Sequence, residues 1–376
     1  MWKKTGCVLL SAALALTLAA CGGDEESGDT IKIGVISPVT GPSSDPGQRV
    51  REGATIAAEV INAGGGVDGR DVELEFADDA STPEDAVLKL KELSGKGVHY
   101  FTGTVNSTVA IALSNFLLES NDMYVLTAAQ SQDPLDQQKN GNIFAMSNTN
   151  VQYGETYLPW IENNLAPKTV AVLAETSDYG NNEIASLEAA WSSPTSPQII
   201  VERFDREQSD YSAQLTKLIS KNPDALYAVA GGTDLPAKIL KQAKELGFTG
   251  QGLSGPSTIS GAFIEAGGDA VNGVVSANVY ASTLDNPTNV EFVKRFQAKY
   301  GRLPSAEAAL GYDSVWTMVQ AIDEAGDPTD LEKVAKIYKD GEWETTRGPR
   351  KFDETGRMIN ETYIVKVEDG NPVVIQ

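Results

Sequence analysis

The feature that most constrains the fold is a regular alternation of short apolar runs with longer amphipathic stretches. The run Ile31–Ile36 reads as a strand, and apolar residues at helical spacing follow from Gln48 to Asn62. The next predicted strands and helices are 72–76, 83–93, 98–102, 107–119 and 124–127. Strands that alternate with helices predict a parallel sheet covered by helices on both faces.

A second set of the same kind begins near Val151. Its predicted strands are 169–174, 198–204, 225–230 and 252–254, with a further run at 274–279, and its predicted helices are 156–164, 181–191, 211–221, 237–246, 292–300, 306–325 and 331–338. The tail changes to alternation of apolar and polar residues, and Asp369-Gly370 predicts a hairpin turn. The predicted fold class is therefore α/β, with two doubly wound parallel-sheet lobes.

The first 21 residues have the pattern of an export leader. Lys3 and Lys4 precede an apolar run from Val8 to Leu18, and small residues lead to Cys21. The run is shorter than the about 20 residues that span a bilayer. The cysteine predicts a lipoprotein signal peptide over 1–21, a lipidated Cys21 and a flexible tether over 22–30; the alternative is an ordinary signal peptide with an incidental cysteine. The predicted location is the periplasm or the cell surface, anchored to a bacterial membrane.

Composition excludes several classes of function. A formal net charge of −22 argues against nucleic acid, whose phosphates require clustered Lys and Arg. Cys7 lies in the leader, and His99 is the only histidine, in a strand-like run where a structural role is favoured. The chain therefore has too few cysteines and histidines for a cysteine–histidine nucleophile or a histidine-rich zinc site. We expect no cofactor, no metal and no enzyme activity.

Two further motifs have plain structural interpretations. The glycines of 64–69 follow a helix and precede a strand, the reverse of a dinucleotide-binding loop, and indicate a helix stop with a turn. Asp78-Asp79 at a strand end favours turn or capping roles over a metal site.

Small hydroxyl residues follow two neighbouring predicted strands. The segments Thr102–Thr108 and Leu126–Ser131 both contain them, and the first opens a helix. A helix start offers free N–H groups that suit a carboxylate, and ligands of open α/β sheets collect beyond the carboxyl ends of strands. These segments predict a pocket for a carboxylate, although a plain Ser/Thr cap is the alternative for the first alone.

Several stretches in order resemble one family. They are IKIGVISPVTGPSSDPGQRVREGA, INAGGGVDGRDVELEFADDASTPEDAV, DYGNNE, KQAKELGFTGQ, GLSGP, GYDSVW and RGPRKFDETGR. Together they resemble the substrate-binding proteins of branched-chain amino acid ABC transporters, of the type I periplasmic binding protein family. The resemblance implies two lobes joined by three crossovers, with ligand held in the cleft. It places lobe 1 at 31–147 plus 280–348, and lobe 2 at 148–279 plus 349–376.

The resemblance also implies site residues. Ser107 and Ser131 stand where the family holds a ligand carboxylate, with Thr108 beside the first, and Ala129 stands where a backbone carbonyl receives the ammonium. Tyr179 matches a cleft tyrosine of the second lobe, for which a packing role is the alternative.

Two departures from the family pattern leave the ligand open. Ser257 replaces the acid that amino-acid binders carry after the proline, and the aromatic residue expected after Gly231-Gly232 is absent. Asp234 is the candidate to supply the missing charge, since a desolvated ammonium needs a partner. Otherwise the ligand is a simple carboxylic or aromatic acid, or an amide. Tyr280, near the second crossover, is a further candidate to face the cleft.

The resemblance thus predicts a lipid-anchored solute receptor that binds an amino acid, branched-chain type first, and delivers it to a membrane permease with a cytoplasmic ATPase. The expected partners are the solute, the permease and the membrane, reached through the lipid, and we expect a monomer. The alternative is a sensory protein of the same fold.

Overall fold

The computed structural model describes residues 30–232 and 234–376. The predicted signal peptide, the lipidated Cys21 and all of the tether but Thr30 lie outside these residues.

The first sheet has five parallel strands in the order β2-β1-β3-β4-β5. These strands are β1 (Ile31–Ile36), β2 (Val72–Ala77), β3 (Tyr100–Gly103), β4 (Met123–Leu126) and β5 (Ile143–Ala145). The helices between and after them are α1 (Ser44–Ala63), α2 (Pro83–Ser94), α3 (Ser107–Leu117) and α4 (Asp133–Asp136). Strands β3, β4 and β5 are buried along their whole length, as continuous apolar runs in a covered parallel sheet require.

The second sheet has seven strands in the order β14-β13-β10-β9-β8-β6-β7. The strands after β5 are β6 (Thr169–Glu175), β7 (Gln198–Phe204), β8 (Ala225–Val229), β9 (Gln251–Ser254), β10 (Val275–Asn278), β11 (Glu342–Thr345), β12 (Gly348–Lys351), β13 (Tyr363–Glu368) and β14 (Asn371–Val374). The remaining helices are α5 (Asn150–Asn164), α6 (Asp178–Ala190), α7 (Ser212–Ile219), α8 (Asp234–Glu245), α9 (Gly261–Gly267), α10 (Pro287–Tyr300), α11 (Ala306–Ala325) and α12 (Leu331–Asp340), with a 3₁₀ turn at Gly268–Val271. Strands β6 to β10 are parallel, β13 and β14 are antiparallel, and β11 and β12 form a separate hairpin.

The two sheets share one topology, which confirms the predicted α/β fold class. The parallel strands of the second sheet repeat the order of the first, because β7-β6-β8-β9-β10 corresponds to β2-β1-β3-β4-β5. Helices α10, α11 and α12 return to pack beside α1 and the first sheet, and β13 and β14 then extend the second sheet. We call these two halves the first lobe and the second lobe. In each, the strand order reverses beside the first strand, which is where ligands collect.

Two glycines fix how α11 packs on α1. A Cβ atom at Gly53 would lie 1.8 Å from the carbonyl oxygen of Ala308, and one at Gly311 would lie 2.3 Å from that of Val50. Larger residues would therefore force the helices apart. This close approach positions the first turn of α11, which reaches the site described below.

Several predicted boundaries differ from the structure. Helix α1 begins at Ser44 rather than Gln48, and α5 begins at Asn150, where Thr149 and Gln152 form a reciprocal capping box. The sequence missed β5 and α9, which are too short for a periodic signal. The Asp369-Gly370 turn is confirmed, with φ of 49° and 72°.

Candidate functional site

A cavity of about 60 Å³ lies between the two lobes at the carboxyl ends of their strands. The first lobe contributes the segments that follow β1, β3 and β4, together with the start of α11, and the second lobe contributes those that follow β6, β7, β8 and β9. The lining residues are Ser43, Pro46, Val105, Asn106, Ser107, Thr108, Ala128, Gln130, Glu175, Ser177, Tyr179, Arg206, Ala230, Gly231, Gly232, Pro256, Ser257, Thr258 and Glu307. The equivalent ends of both sheets thus enclose one space.

A buried ion pair forms the wall of the second lobe. Glu175 ends β6 and is 1% exposed, and its Oε2 lies 3.2 Å from Nε of Arg206. The same oxygen accepts the N–H of Gly231 at 2.7 Å, while Oε1 accepts the hydroxyl of Ser177 at 2.5 Å. Both carboxylate oxygens are therefore occupied by protein donors, as a buried charge requires.

Arg206 also reaches across the cleft to the first lobe. Its Nη1 donates to Oδ1 of Asn106 at 3.0 Å and its Nη2 to the hydroxyl of Ser43 at 2.5 Å. Thr108 donates to Oδ2 of Asp178 at 2.8 Å in a third bond between the lobes. The structure is therefore that of a closed cleft.

The start of α3 offers backbone donors to the cavity. Ser107 and Thr108 occupy its first turn and line the space. Asn106 is the N-cap residue, yet its side chain makes no capping bond, because its oxygen accepts from Arg206 and Ser43. With no side-chain cap, the first N–H groups of the helix and its partial positive charge remain for an anionic group.

Tyr179 lines the second-lobe side of the cavity, and Tyr153 lies buried behind Ser257. The hydroxyl of Tyr179 is buried and has no hydrogen-bond partner among the described atoms, and burial raises the pKa of this phenol, which keeps it a proton donor. The hydroxyl of Ser257 lies 2.8 Å from that of Tyr153, which is itself completely buried. The Tyr179 hydroxyl is thus a buried donor without a partner among the described atoms, whereas the Ser257 hydroxyl is already engaged.

Glu307 enters the cavity from the first turn of α11. It is 5% exposed, and the hydroxyl of Ser305 donates to its Oε2 at 2.7 Å. Burial raises the pKa of this carboxyl to about 7. Within the described residues, no Lys or Arg nitrogen forms an ion pair with it. Glu307 is therefore a buried acid with unused acceptor capacity.

The structure brings some predicted site residues together and not others. Ser107, Thr108, Tyr179 and Ser257 all line the cavity. Ala129 is 1% exposed and does not line it, although its neighbours on both sides do.

Three predicted residues lie away from the cavity. The hydroxyl of Ser131 donates to Asp133 at 2.7 Å, and its carbonyl accepts from Arg357. Asp234 forms an ion pair with Lys238 at 2.6 Å, on the half-exposed start of α8. Tyr280 donates to Asn289 at 3.0 Å and lines a separate cavity of about 410 Å³.

Sequence reasoning missed Glu175, Arg206, Asn106 and Glu307. Glu307 stands in the first helical turn, where an acid ordinarily offsets the helix dipole, so the sequence gives no sign of a cleft position. Arg206 lies in a loop whose destination depends on how the lobes meet. A polar residue at the end of an otherwise buried strand, as at Glu175, is the one signal that was available.

Three further features of the described residues concern metal ions, membrane spans and the histidine. Over residues 30–232 and 234–376, no group of three or more His, Cys, Asp or Glu side chains could hold a metal ion. No helix in the same ranges has the length and apolar character to span a membrane. His99 lies beyond the cavity, with Nδ1 2.8 Å from Asp122.

Known proteins similar to this chain are described as binding proteins. A family model described as periplasmic binding protein matches residues 30–372. A Leu/Ile/Val-binding protein homologue of Brucella melitensis is 29% identical over 92% of this chain and 94% of its own. The crystal structure of a leucine-binding protein from Thermotoga maritima superposes with a TM-score of 0.85 and 29% identity, covering 92% of this chain and 98% of that one. A solute-binding protein from R. palustris in complex with benzoate has a TM-score of 0.83 and 21% identity, covering 92% and 96%.

Proposed function

The chain belongs to the periplasmic binding protein family, a family of solute-binding proteins and not of enzymes, and from that premise we propose that it captures a branched-chain amino acid outside the cytoplasm for an ABC importer. Its work is binding and lobe closure, with no bond made or broken. The cognate permease and its cytoplasmic ATPase would receive the solute.

The uncapped first turn of α3 is the observation that carries the carboxylate half of this proposal. Its N–H groups and Ser107 border a closed space between the lobes, which Tyr179 also lines. An anion at such a helix start is stabilised by hydrogen bonds and by the helix dipole together. The small cavity suits a single small solute. The names of the Brucella and Thermotoga relatives favour leucine, isoleucine and valine among such carboxylates.

A thermal-shift and calorimetric screen tests the proposal. Leucine, isoleucine and valine should raise the melting temperature, because a ligand that binds only the folded state stabilises it by mass action. Leucinamide, which keeps the side chain and ammonium but lacks the carboxylate, is the matched control and should give no shift. Stabilisation by leucinamide equal to that by leucine would contradict the carboxylate cradle.

Simple aromatic acids are the second candidate, because Ser257 provides no charge for an ammonium. A structural neighbour from R. palustris was solved with benzoate. Benzoate and 3,4-dihydroxybenzoate therefore belong in the same screen. Stabilisation by these acids and by no amino acid would replace the amino-acid proposal.

A further inference from the structure

We propose that Glu307 is the partner of the ligand's ammonium and thereby selects amino acids over simple carboxylates. The inference rests on the proposed function and assigns the amine half of the same site. It replaces the expectation that Asp234 supplies the missing charge.

Ser257 occupies the place where an acid was expected, and Glu307 lines the same cavity from the opposite lobe. Tyr153 lies beside Ser257, with the two hydroxyls 2.8 Å apart; burial is the main cause of the raised pKa of this phenol, and the charge of Glu307 raises it further. Glu307 therefore lies close to the side of the cavity where Ser257 replaces the expected acid.

The other acids near the cavity already have partners. Glu175 is paired with Arg206 and accepts two further hydrogen bonds. Asp178 accepts from Thr108, and Asp234 pairs with Lys238 outside the cavity. Of the two acids that line the described cavity, only Glu307 lacks a cationic partner.

A carboxylate that is 5% exposed needs a positive partner to remain ionised. An ammonium placed against Glu307 would supply that partner and gain a charge-assisted hydrogen bond in return. A neutral or purely anionic solute would leave the group protonated. The site should therefore bind ligands that carry an amine more tightly than those that lack one.

The surrounding charges define how binding should depend on pH. Burial is the main cause of the pKa of about 7, with Asp45 raising it and Arg49 lowering it from α1. Tyr153 faces the group from α5, and the Glu175–Arg206 pair lies across the cavity. Below about pH 7 the ammonium must displace a proton from Glu307, so amino-acid affinity should fall about tenfold per pH unit.

The experiment compares leucine with 4-methylpentanoate, which is leucine without its amine. Both are titrated calorimetrically into the purified protein, into Glu307→Gln, and into Glu188→Gln, a matched change on the exposed face of α6. Glu307→Gln should lose about a hundredfold in leucine affinity, as truncation of a buried charge partner does, and leave 4-methylpentanoate unchanged. Glu188→Gln should behave as the parent protein. Circular dichroism verifies that each variant is folded.

Leucine titrations in buffers of different ionisation enthalpy provide a second measurement. At about pH 6.5 the parent protein should release a proton when it binds leucine, and Glu307→Gln should not. Equal leucine affinity in the parent protein and Glu307→Gln would overturn the role of Glu307 while the proposed function stands. Parent protein that binds 4-methylpentanoate or benzoate, but no amino acid, would overturn both.

Discussion

Nη1 of Arg206 donates a hydrogen bond of 3.0 Å to Oδ1 of Asn106 across the cleft, from the second lobe to the first. The bond uses the oxygen that would otherwise cap α3, whose N-cap residue is Asn106. The hydroxyl of Ser43 donates to the same oxygen from within the first lobe, so this contact and the one from Arg206 together keep the helix N–H groups uncapped. In the closed form, the same arginine neutralises Glu175 and holds the cradle open for an anion.

Arg206→Ala should destabilise the protein and weaken binding together. It leaves Glu175, 1% exposed, as an unpaired buried charge, and removing one member of a buried pair costs about 3–5 kcal/mol. Urea unfolding measures the loss. The double variant Arg206→Ala with Glu175→Gln should recover most of the stability but not the ligand affinity, since the bond to Asn106 stays broken. A single variant as stable as the parent protein would show that the pair contributes nothing.

Thr108→Val should accelerate ligand release with little change in stability. The hydroxyl of Thr108 joins the lobes through Asp178 at 2.8 Å, and this bond is exposed. A single hydrogen bond contributes about 0.5–1.5 kcal/mol, so the release rate should rise about 2- to 10-fold. Stopped-flow displacement measures the rate. Asp178→Asn should give a smaller increase because the amide oxygen still accepts; a larger one would argue against the hydrogen bond as the cause.

Glu307→Gln should stabilise the protein when no ligand is bound, and increasingly so as the pH rises. The folded-state pKa of Glu307 is about 7, above its ordinary value of 4.5, so the folded state retains a proton that the unfolded state has released. Stability therefore falls as the pH rises from about 4.5 to 7, by roughly 3 kcal/mol for this group, and the loss persists above. Melting temperatures of parent and variant should coincide near pH 4.5 and diverge toward pH 8. Parallel curves would contradict the raised pKa.

Gly255→Ala should impair binding by displacing Tyr179. A Cβ atom at this position would lie 2.4 Å from the phenol oxygen of Tyr179, closer than real contacts allow. The tyrosine, which lines the cavity, must then shift. Gly261→Ala is the matched control, because no atom lies within 4 Å of its added Cβ. Calorimetry should show lost affinity for the first variant only, and equal affinity in both would remove Tyr179 from the site.

The sequence predicted the fold well because its signals are periodic and local. The alternating runs located both parallel sheets, and the hydroxyl residues after β3 located the start of α3, which lines the cavity. It could not place Arg206 or Glu307, because each reaches the cleft through the packing of one element on another. Asp234 illustrates the reverse: it carries the charge that the sequence suggested, but Lys238, one helical turn away, pairs with it outside the described cavity. Charge near a site in sequence does not reveal whether that charge is free.

Cys21→Ser should release the protein from the membrane while leaving solute binding intact. The proposed anchor lies outside the described residues, and binding depends on the lobes alone. A chain with a net charge of −22 has no general attraction to anionic lipid, so we expect membrane association to depend on the predicted acyl group. Cell fractionation and incorporation of labelled palmitate measure the change. Cys7→Ser, in the leader itself, is the matched control and should remain lipidated and in the membrane fraction. Membrane association that survives Cys21→Ser would contradict the lipoprotein proposal and leave an ordinary signal peptide as the interpretation of the leader.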